Sequence, residues 1–429
     1  MSSRTRPVSP VRHRDSCDAE PGRLDGVSRR TLLGRSLAAS TAAALPLPPA
    51  GVFTAAAARI RVGLVGCGGR GTGAALQCLE AEPGATVVAI GDLFADQIGS
   101  SADLLARAGG RRFDCPPERR FVGSEAFRGV IDAGVDVVLL AAPPHVRPLH
   151  LEAAVAAGKH VYCERPVAVD VAGVIRAAAA SARSRAAGLS LVSGFCFRRD
   201  RQLAELVARV QDGGIGRLLS ARAHAAIGLP WRKPALAGDS SSWPIRNWIS
   251  FARFSGGHFV EHHVEALDRV LWFFGDEPPV TAEPLGLVVR SGAVDTACGL
   301  PLRGPGDCPS GVAVRYRFAD GRTLEASIDR RERFLDHRVE EVSGSAGRCD
   351  LIGRSIAGRT TWAAGSAPRS NRHRAAVAAL LEGVLTGRHS HDGHAMCQST
   401  LVALLGREAA ESGSRVVWAD LDAGARLPA

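Results

Sequence analysis

The chain has 429 residues, of which 46% are hydrophobic and 22% charged, a composition typical of a globular protein with a sizeable core. Its net charge of +10 is not accompanied by a basic helix or a basic stripe with interleaved aromatic residues, so nucleic-acid binding is not expected. The ten cysteines form no Cys-x-x-Cys pair, which excludes the thioredoxin-like and common zinc-binding patterns.

The first 58 residues are typical of a twin-arginine export signal. Arg29 and Arg30 precede a short, weakly apolar run at residues 37–47, and the alanine-rich stretch at residues 55–58 suits a cleavage site. We therefore predict export of the folded protein to the periplasm or the extracellular space, with no membrane span in the mature form. The alternative is a basic tail with an accidental arginine pair. Removal of this leader would leave a net charge of +6.

A glycine-rich motif follows the first apolar strand of the mature chain. Residues 61–71 read as a strand that runs into Gly-x-Gly-x-x-Gly, and a helix-forming run begins at Thr72. In this pattern the first glycine makes a tight turn, the second admits a pyrophosphate and the third lets helix and strand pack closely. The helix N-terminus also favours phosphate. The expected cofactor contacts are Gly66, Cys67, Gly68, Gly69, Arg70 and Gly71.

An acidic residue ends the second predicted strand. Asp92 lies 21 residues beyond Gly71, where a carboxylate binds the adenosine ribose of a dinucleotide. Leu93 and Phe94 follow it, rather than a basic residue that would pair with a 2′-phosphate. The sequence therefore favours NAD over NADP.

The remaining pattern divides the mature chain into two domains. Strands and helices alternate over residues 59–194, which predicts a Rossmann domain with a parallel sheet covered on both faces. Residues 195–429 contain strands of period-two alternation and a hairpin turn at Asp320-Gly321, which predict an α+β domain with a mostly antiparallel, open sheet. Cys298 and Cys308 bracket a Gly/Pro-rich loop and are either a disulfide or two free thiols.

The motifs together resemble the glucose–fructose oxidoreductase / inositol dehydrogenase / MocA family, through nearly all of the mature chain. The resemblance includes the glycine motif, the Ala-Pro-Pro-His segment at residues 142–145, the Glu-Arg-Pro segment at 164–166, the Trp-Pro-Ile-Arg-Asn-Trp segment at 243–248 and the helix over 257–274. It implies a nucleotide cleft between the two domains and a homo-oligomer. It also implies further cofactor contacts from Pro143, Pro144, His145 and Glu164, and substrate contacts from Arg246, Trp248 and Asp268.

The catalytic positions depart from the family pattern. The family has a lysine, an aspartate and a histidine where this chain has Arg165, Glu261 and Glu265. Arginine stays protonated, so Arg165 is expected to bind a hydroxyl, an alkoxide or a carboxylate without accepting a proton. Glu261 and Glu265 lie four residues apart on one helix face, and their repulsion is expected to raise one pKa. We take Glu265, at the histidine position, as the first candidate for general base.

Three functions follow from this reading. The first is an NAD-dependent oxidoreductase acting on a sugar, polyol or sugar acid. The second is an inactive, NAD-holding carbohydrate-binding or assembly protein, since arginine is nearly the only cation in this chain and Glu261 and Glu265 also suit a solvated helix face. The third is an NAD-dependent glycosidase or lyase. A metal site at His258, His262 and Glu265 is not expected, because the spacing fits metal ligation only partly. Trp248 suits sugar stacking and a core role equally.

Overall fold

The computed structural model describes residues 59–234, 241–286, 288–289, 306–331, 336–365 and 371–422, and these ranges form one compact unit with two sheets. The leader with its arginine pair and Cys298 lie outside the described residues, so export and the disulfide stay predictions. Within the described ranges, no helix combines the length and the apolar character needed to cross a bilayer.

The first sheet is parallel throughout and has the strand order β3-β2-β1-β4-β5-β6. Its strands are β1 (Ile60–Val65), β2 (Ala85–Asp92), β3 (Arg120–Val122), β4 (Val137–Leu140), β5 (His160–Cys163) and β6 (Leu191–Ser193). All four residues of β4 are buried, as expected for a central strand covered on both faces. The covering helices are α1 (Gly69–Ala81), α2 (Ala95–Gly109), α3 (Ala126–Asp132), α4 (Arg147–Ala156) and α5 (Val171–Ala186).

The second sheet has nine strands in the order β14-β13-β12-β11-β7-β10-β9-β8-β15, and its pairings are antiparallel except for the parallel pair β7–β10. Its strands are β7 (Leu218–Gly228), β8 (Thr281–Pro284), β9 (Gly311–Arg317), β10 (Thr323–Arg331), β11 (His337–Gly344), β12 (Gly347–Asp350), β13 (Ser355–Gly358), β14 (Trp362–Ala363) and β15 (Val416–Val417). Val314 and Tyr316 are buried while Arg315 and Arg317 face outward, so the alternation and the Asp320-Gly321 turn were predicted correctly. The predicted fold class is confirmed.

The second half contains seven helices among the described residues. They are α6 (Arg201–Gln211), α7 (Trp243–Arg246), α8 (Ala252–Ser255), α9 (Val264–Phe273), α10 (Arg372–Thr386), α11 (Gly393–Ser412) and α12 (Trp418–Asp422). Helix α10 contacts α1 and shares a core with Val62 and Leu139 of the parallel sheet. The C-terminal part of the sequence therefore helps to build the nucleotide-binding half.

The helix predicted over residues 257–274 is not uniform. A π-helical turn at Phe259–His263 precedes α9, and Gly256 and Gly257 before it have φ values of 78° and 87°. Such turns are rare and frequently mark functional positions. This one contains Glu261, one of the altered catalytic positions.

Candidate functional site

A cavity of about 570 Å³ lies at the carboxyl ends of the parallel strands. This is where ligands of doubly wound sheets bind. Its lining contains eight of the predicted cofactor contacts, namely Gly66, Gly68, Gly69, Arg70, Gly71, Asp92, Pro143 and His145. The other three, Cys67, Pro144 and Glu164, are buried beside the cavity and do not line it.

The glycines divide into those that packing requires and those that leave room for a ligand. Gly66 has a φ of 95°, and a Cβ atom built on Gly71 would lie 1.9 Å from the carbonyl oxygen of Gly66. A Cβ atom on Gly68 or Gly69 would meet no atom within 4 Å. The turn therefore holds open space in front of the N-terminus of α1, which fits the pyrophosphate of a dinucleotide.

Asp92 is fixed by the backbone around it. One carboxylate oxygen accepts a hydrogen bond from the Cys67 N–H at 2.7 Å, and the other accepts one from the Phe94 N–H at 2.9 Å. Burial raises the pKa of Asp92, and these two hydrogen bonds oppose that rise. The residue therefore joins the glycine turn to the end of β2, while Cys67 acts through its backbone and its side chain is buried.

A buried arginine connects the two loops that follow β4 and β5. Arg147 donates hydrogen bonds to the carbonyl oxygen of Ala142, at 2.6 Å, and to that of Pro166. His145 lies on the first of these loops, with its ring 4.9 Å from the ring of Phe254. Burial lowers the pKa of His145, so this imidazole is neutral at pH 7.

Arg165 contacts both altered helix positions. Its Nε donates to Glu265 at 3.2 Å, and its Nη1 donates to the carboxylate of Glu261 at 3.2 Å and to the Glu261 carbonyl at 2.6 Å. The structure thus brings the three predicted catalytic residues together, across 96 to 100 residues of sequence. The result is a cation held by two carboxylates at the carboxyl end of β5.

The pKa values of the two carboxylates are shifted in opposite directions. Burial raises the pKa of Glu261 to about 7, although the charges of Arg165 and Arg147 oppose the rise. Burial also acts on Glu265, but Arg165 and Arg269 outweigh it and hold the Glu265 pKa below its usual value. Within the part of the chain that the structure describes, Oε2 of Glu261 has no hydrogen-bond partner. The rise in one pKa therefore falls on Glu261 and not on Glu265, our first candidate, and its main cause is burial, with repulsion from Glu265 the smaller contribution.

An ion pair links the cavity to this cluster. Arg70 of the glycine turn lies 3.3 Å from Glu164, whose carboxylate also accepts a hydrogen bond from the hydroxyl of Tyr162 and one from the backbone N–H of Arg165. Glu164 is 5% exposed and Arg70 is much more open. Glu164 therefore holds the glycine turn and the Arg165 loop in place through its ion pair and hydrogen bonds, and it does not line the cavity.

The three residues predicted to bind substrate lie in two different places. Arg246 and Trp248 line the cavity, and the Arg246 guanidinium lies over the ring of Phe94, two residues after Asp92. Asp268 is 1% exposed and is paired with Arg198, with a further hydrogen bond from Ser399. Asp268 therefore lies within a buried ionic network, which indicates a structural role.

Several lining residues were not identified from the sequence. Trp231, Lys233 and Ile245 reach the cavity from the segment after β7, more than 130 residues from Asp92. No local pattern marks them, since their positions depend on how the two halves pack. Among the described residues, no group of three or more His, Cys, Asp or Glu side chains is placed to hold a metal ion.

The parallel sheet, the glycine turn and the acidic end of β2 define a dinucleotide-binding Rossmann protein with a second, sheet-based domain. Residues 60–190 match the family model GFO_IDH_MocA, described as an oxidoreductase family with an NAD-binding Rossmann fold. These residues, the nucleotide-binding part of the chain, are thus similar to the glucose–fructose oxidoreductase / inositol dehydrogenase / MocA family of oxidoreductases.

Two inositol dehydrogenases illustrate the sequence similarity. The chain is 27% identical to a myo-inositol 2-dehydrogenase of Thermotoga maritima, over 67% of this chain and 74% of that protein. It is 34% identical to inositol 2-dehydrogenase 3 of Saccharopolyspora erythraea, but over only 38% of this chain and 44% of that relative. The similarity to the second relative thus spans less than half of its length.

Solved structures share the fold over most of the chain. An aldose-aldose oxidoreductase from Caulobacter crescentus superposes with a TM-score of 0.62 at 20% identity, covering 84% of this chain and 99% of that one. A levoglucosan dehydrogenase in complex with NADH gives a TM-score of 0.63 at 18% identity, with 84% and 99% coverage. These likenesses show the fold, a parallel Rossmann sheet combined with a mostly antiparallel sheet.

Proposed function

We propose that the protein is an NAD-dependent oxidoreductase that transfers a hydride between nicotinamide and a carbon of a sugar, polyol or sugar acid. The observation that carries the proposal is the physical link between the two parts of the site. Arg70 belongs to the cavity lining and pairs with Glu164, and the next residue, Arg165, holds Glu261 and Glu265. The names of the similar inositol, levoglucosan and aldose enzymes support a carbohydrate substrate.

The cavity favours NAD over NADP. The carboxylate of Asp92 lies at the adenosine end, where it suits ribose hydroxyls and would repel a 2′-phosphate. Two cations, Lys233 and Arg246, also line this end, but Arg246 is paired with Asp96. The bound cofactor would supply the hydride acceptor, and the Gly68–Gly69 turn with Asp92 would hold it.

Glu261 is the better candidate for the general base. Alcohol oxidation requires a group that takes the hydroxyl proton, and a base is most effective when its pKa lies near the working pH. Glu261 has a pKa of about 7 and an oxygen without a hydrogen-bond partner in the described structure, whereas Glu265 is held ionised by Arg165. Arg165 would bind the substrate oxygen and stabilise the charge that develops on it.

The arrangement also supports the alternative of an NAD-holding protein without turnover. Arg165 already donates to Glu265 and to two oxygen atoms of Glu261. A substrate oxygen would have to share these donors or displace a carboxylate. In that case the protein would bind NAD and a carbohydrate, and the nicotinamide would never change its redox state.

The pH dependence of oxidation tests the assignment of Glu261. The rate should rise with pH through about 7, because Glu261 accepts a proton only after losing its own. In Glu265→Gln the rising limb should move to lower pH with turnover retained, because the charge of Glu265 raises the pKa of Glu261. The measurement is kcat/KM between about pH 5 and pH 9. Complete loss of oxidation in Glu265→Gln would instead identify Glu265 as the base.

We further propose that the protein is exported by the twin-arginine pathway and works outside the cytoplasm. Arg29 and Arg30 with the apolar run at residues 37–47 support this. Replacement of both arginines by lysine should leave the full-length protein in the cytoplasmic fraction. The unchanged protein should instead be found outside the cytoplasm in a shortened form. An unchanged distribution between fractions would reject the export proposal.

We propose that the protein forms a homo-oligomer whose interface is the outer face of the nine-stranded sheet. Charges of opposite sign alternate across β8, β9 and β10 at Glu283, Arg315 and Glu325. An alternating row of this kind is complementary to a second copy of itself when the two are offset by one strand. Light scattering of the purified protein tests this, and a monomeric mass would contradict it.

A further inference from the structure

We infer that Arg246 is a latch that holds the adenosine end of the cofactor in place. This latch, defined as Arg246 with Phe94 and Asp96, joins the segment after β7 to the N-terminus of α2. The inference rests on the proposed function in one respect, since it requires NAD to bind in this cavity.

The part of the cavity wall contributed by the C-terminal half is built as one piece. Trp231 and Lys233 lie on one stretch of this wall and Trp248 on another. Asn247, which is fully buried, joins the two stretches. Its side chain accepts a hydrogen bond from the Lys233 N–H at 2.7 Å and donates to the Lys233 carbonyl at 3.2 Å. The rings of Trp231 and Trp248 meet edge to face at 6.5 Å.

Arg246 attaches this wall to the N-terminal end of α2. Its Nη1 donates to both carboxylate oxygens of Asp96, at 3.1 and 3.0 Å, and its guanidinium lies 3.8 Å from the centre of the Phe94 ring. Asp96 is the second residue of α2, where a negative charge is also favoured by the helix dipole. Arg246 therefore binds Phe94 and Asp96, which lie just after Asp92, the residue proposed to bind the ribose.

An exposed ion pair alone contributes little binding energy, so the strength of this pair depends on the burial of Arg246. The side chain of Asp96 is 55% exposed, but that of Arg246 is only 10% exposed. Burial, stacking on an aromatic ring and contact with both carboxylate oxygens are the conditions under which an arginine pair becomes strong. Arg246 also lines the cavity, so the latch lies where it can contact the adenosine end of a bound nucleotide and slow its release.

The latch should slow the release of NAD without affecting the nicotinamide end. In Asp96→Asn, NAD should dissociate about tenfold faster than from the unchanged protein, as expected for the loss of a stacked, charge-assisted pair. High salt should accelerate release from the unchanged protein and have less effect on Asp96→Asn. Nicotinamide mononucleotide, which lacks the adenosine, should bind both proteins equally.

The experiment is a stopped-flow measurement of NAD release from the purified full chain, followed by the fluorescence of Trp231 and Trp248. The matched control is Glu205→Gln, which breaks a remote pair in which Arg209 donates twice to Glu205 and lies 4.9 Å from the Trp362 ring. This control should release NAD at the unchanged rate. Arg246→Lys, which keeps the charge but loses the planar stacking, should also release NAD faster.

The outcomes separate this inference from the proposed function. Unchanged release from both Asp96→Asn and Arg246→Lys, with the unchanged protein binding NAD, would overturn the latch and leave the proposed function standing. Equal acceleration in Glu205→Gln would also overturn it. Failure of the unchanged protein to bind NAD would overturn the proposed function and the latch together.

Discussion

Replacing Glu261 by glutamine is expected to reduce the rate of substrate oxidation by about 10²- to 10⁴-fold, the usual contribution of a general base. Glutamine preserves the size of the side chain and its hydrogen bond from Arg165 but cannot accept the hydroxyl proton. The affinity for NAD should not change, because Glu261 does not line the nucleotide cavity. The measurement is the rate of NADH formation under saturating substrate.

Glu265→Gln is the matched control for this experiment. Both variants remove one carboxylate from the same arginine, so the loss of an ion pair with Arg165 is common to them. Only the Glu261 variant removes the carboxylate with the raised pKa. Equal losses in the two variants would show that the effect comes from Arg165, and a larger loss in Glu265→Gln would reverse the assignment.

The second large effect is expected in the glycine turn, where two alanine substitutions should separate ligand binding from folding. Gly71→Ala places a Cβ atom against the backbone of Gly66, and we expect it to lower the free energy of unfolding by about 1–3 kcal/mol and to abolish NAD binding. Gly68→Ala meets no protein atom, so its stability should change by less than about 1 kcal/mol.

The affinity of Gly68→Ala for NAD should nevertheless fall at least about tenfold, because its Cβ atom occupies the space in front of the helix N-terminus. Urea denaturation and NAD titration of the two variants provide the measurement. If Gly68→Ala bound NAD as tightly as the unchanged chain does, the pyrophosphate could not lie in front of the N-terminus of α1.

The features predicted correctly from the sequence are those that local patterns encode. The glycine motif and the strand that ends in Asp92 can be recognised from their spacing in the sequence. The hairpin at Asp320-Gly321 follows from turn chemistry. The cluster of Arg165 with Glu261 and Glu265 was expected only from the family resemblance. No local pattern encodes it, since 96 to 100 residues separate Arg165 from the two glutamates.

The features that the sequence did not reveal depend on packing between distant segments. Which glutamate has the higher pKa is set by burial and by the surrounding arginines, among them Arg165, which lies 96 to 100 residues away in the sequence. The π-helical turn and the parallel pair β7–β10 have no periodic signal in the sequence. Arg246 was assigned to substrate by resemblance, whereas Asp96, its partner at the adenosine end, lies 150 residues away.

A single-turnover reaction decides whether the protein transfers a hydride to its bound NAD. The mature protein, shown to contain NAD, is mixed with a panel of sugars, polyols and sugar acids while nicotinamide reduction is followed by absorbance. We expect one substrate class to reduce the bound NAD, and we expect this reduction to be lost in Glu261→Gln. NAD that stays oxidised with every member of the panel would reject the proposed oxidoreductase and favour the NAD-holding protein without turnover.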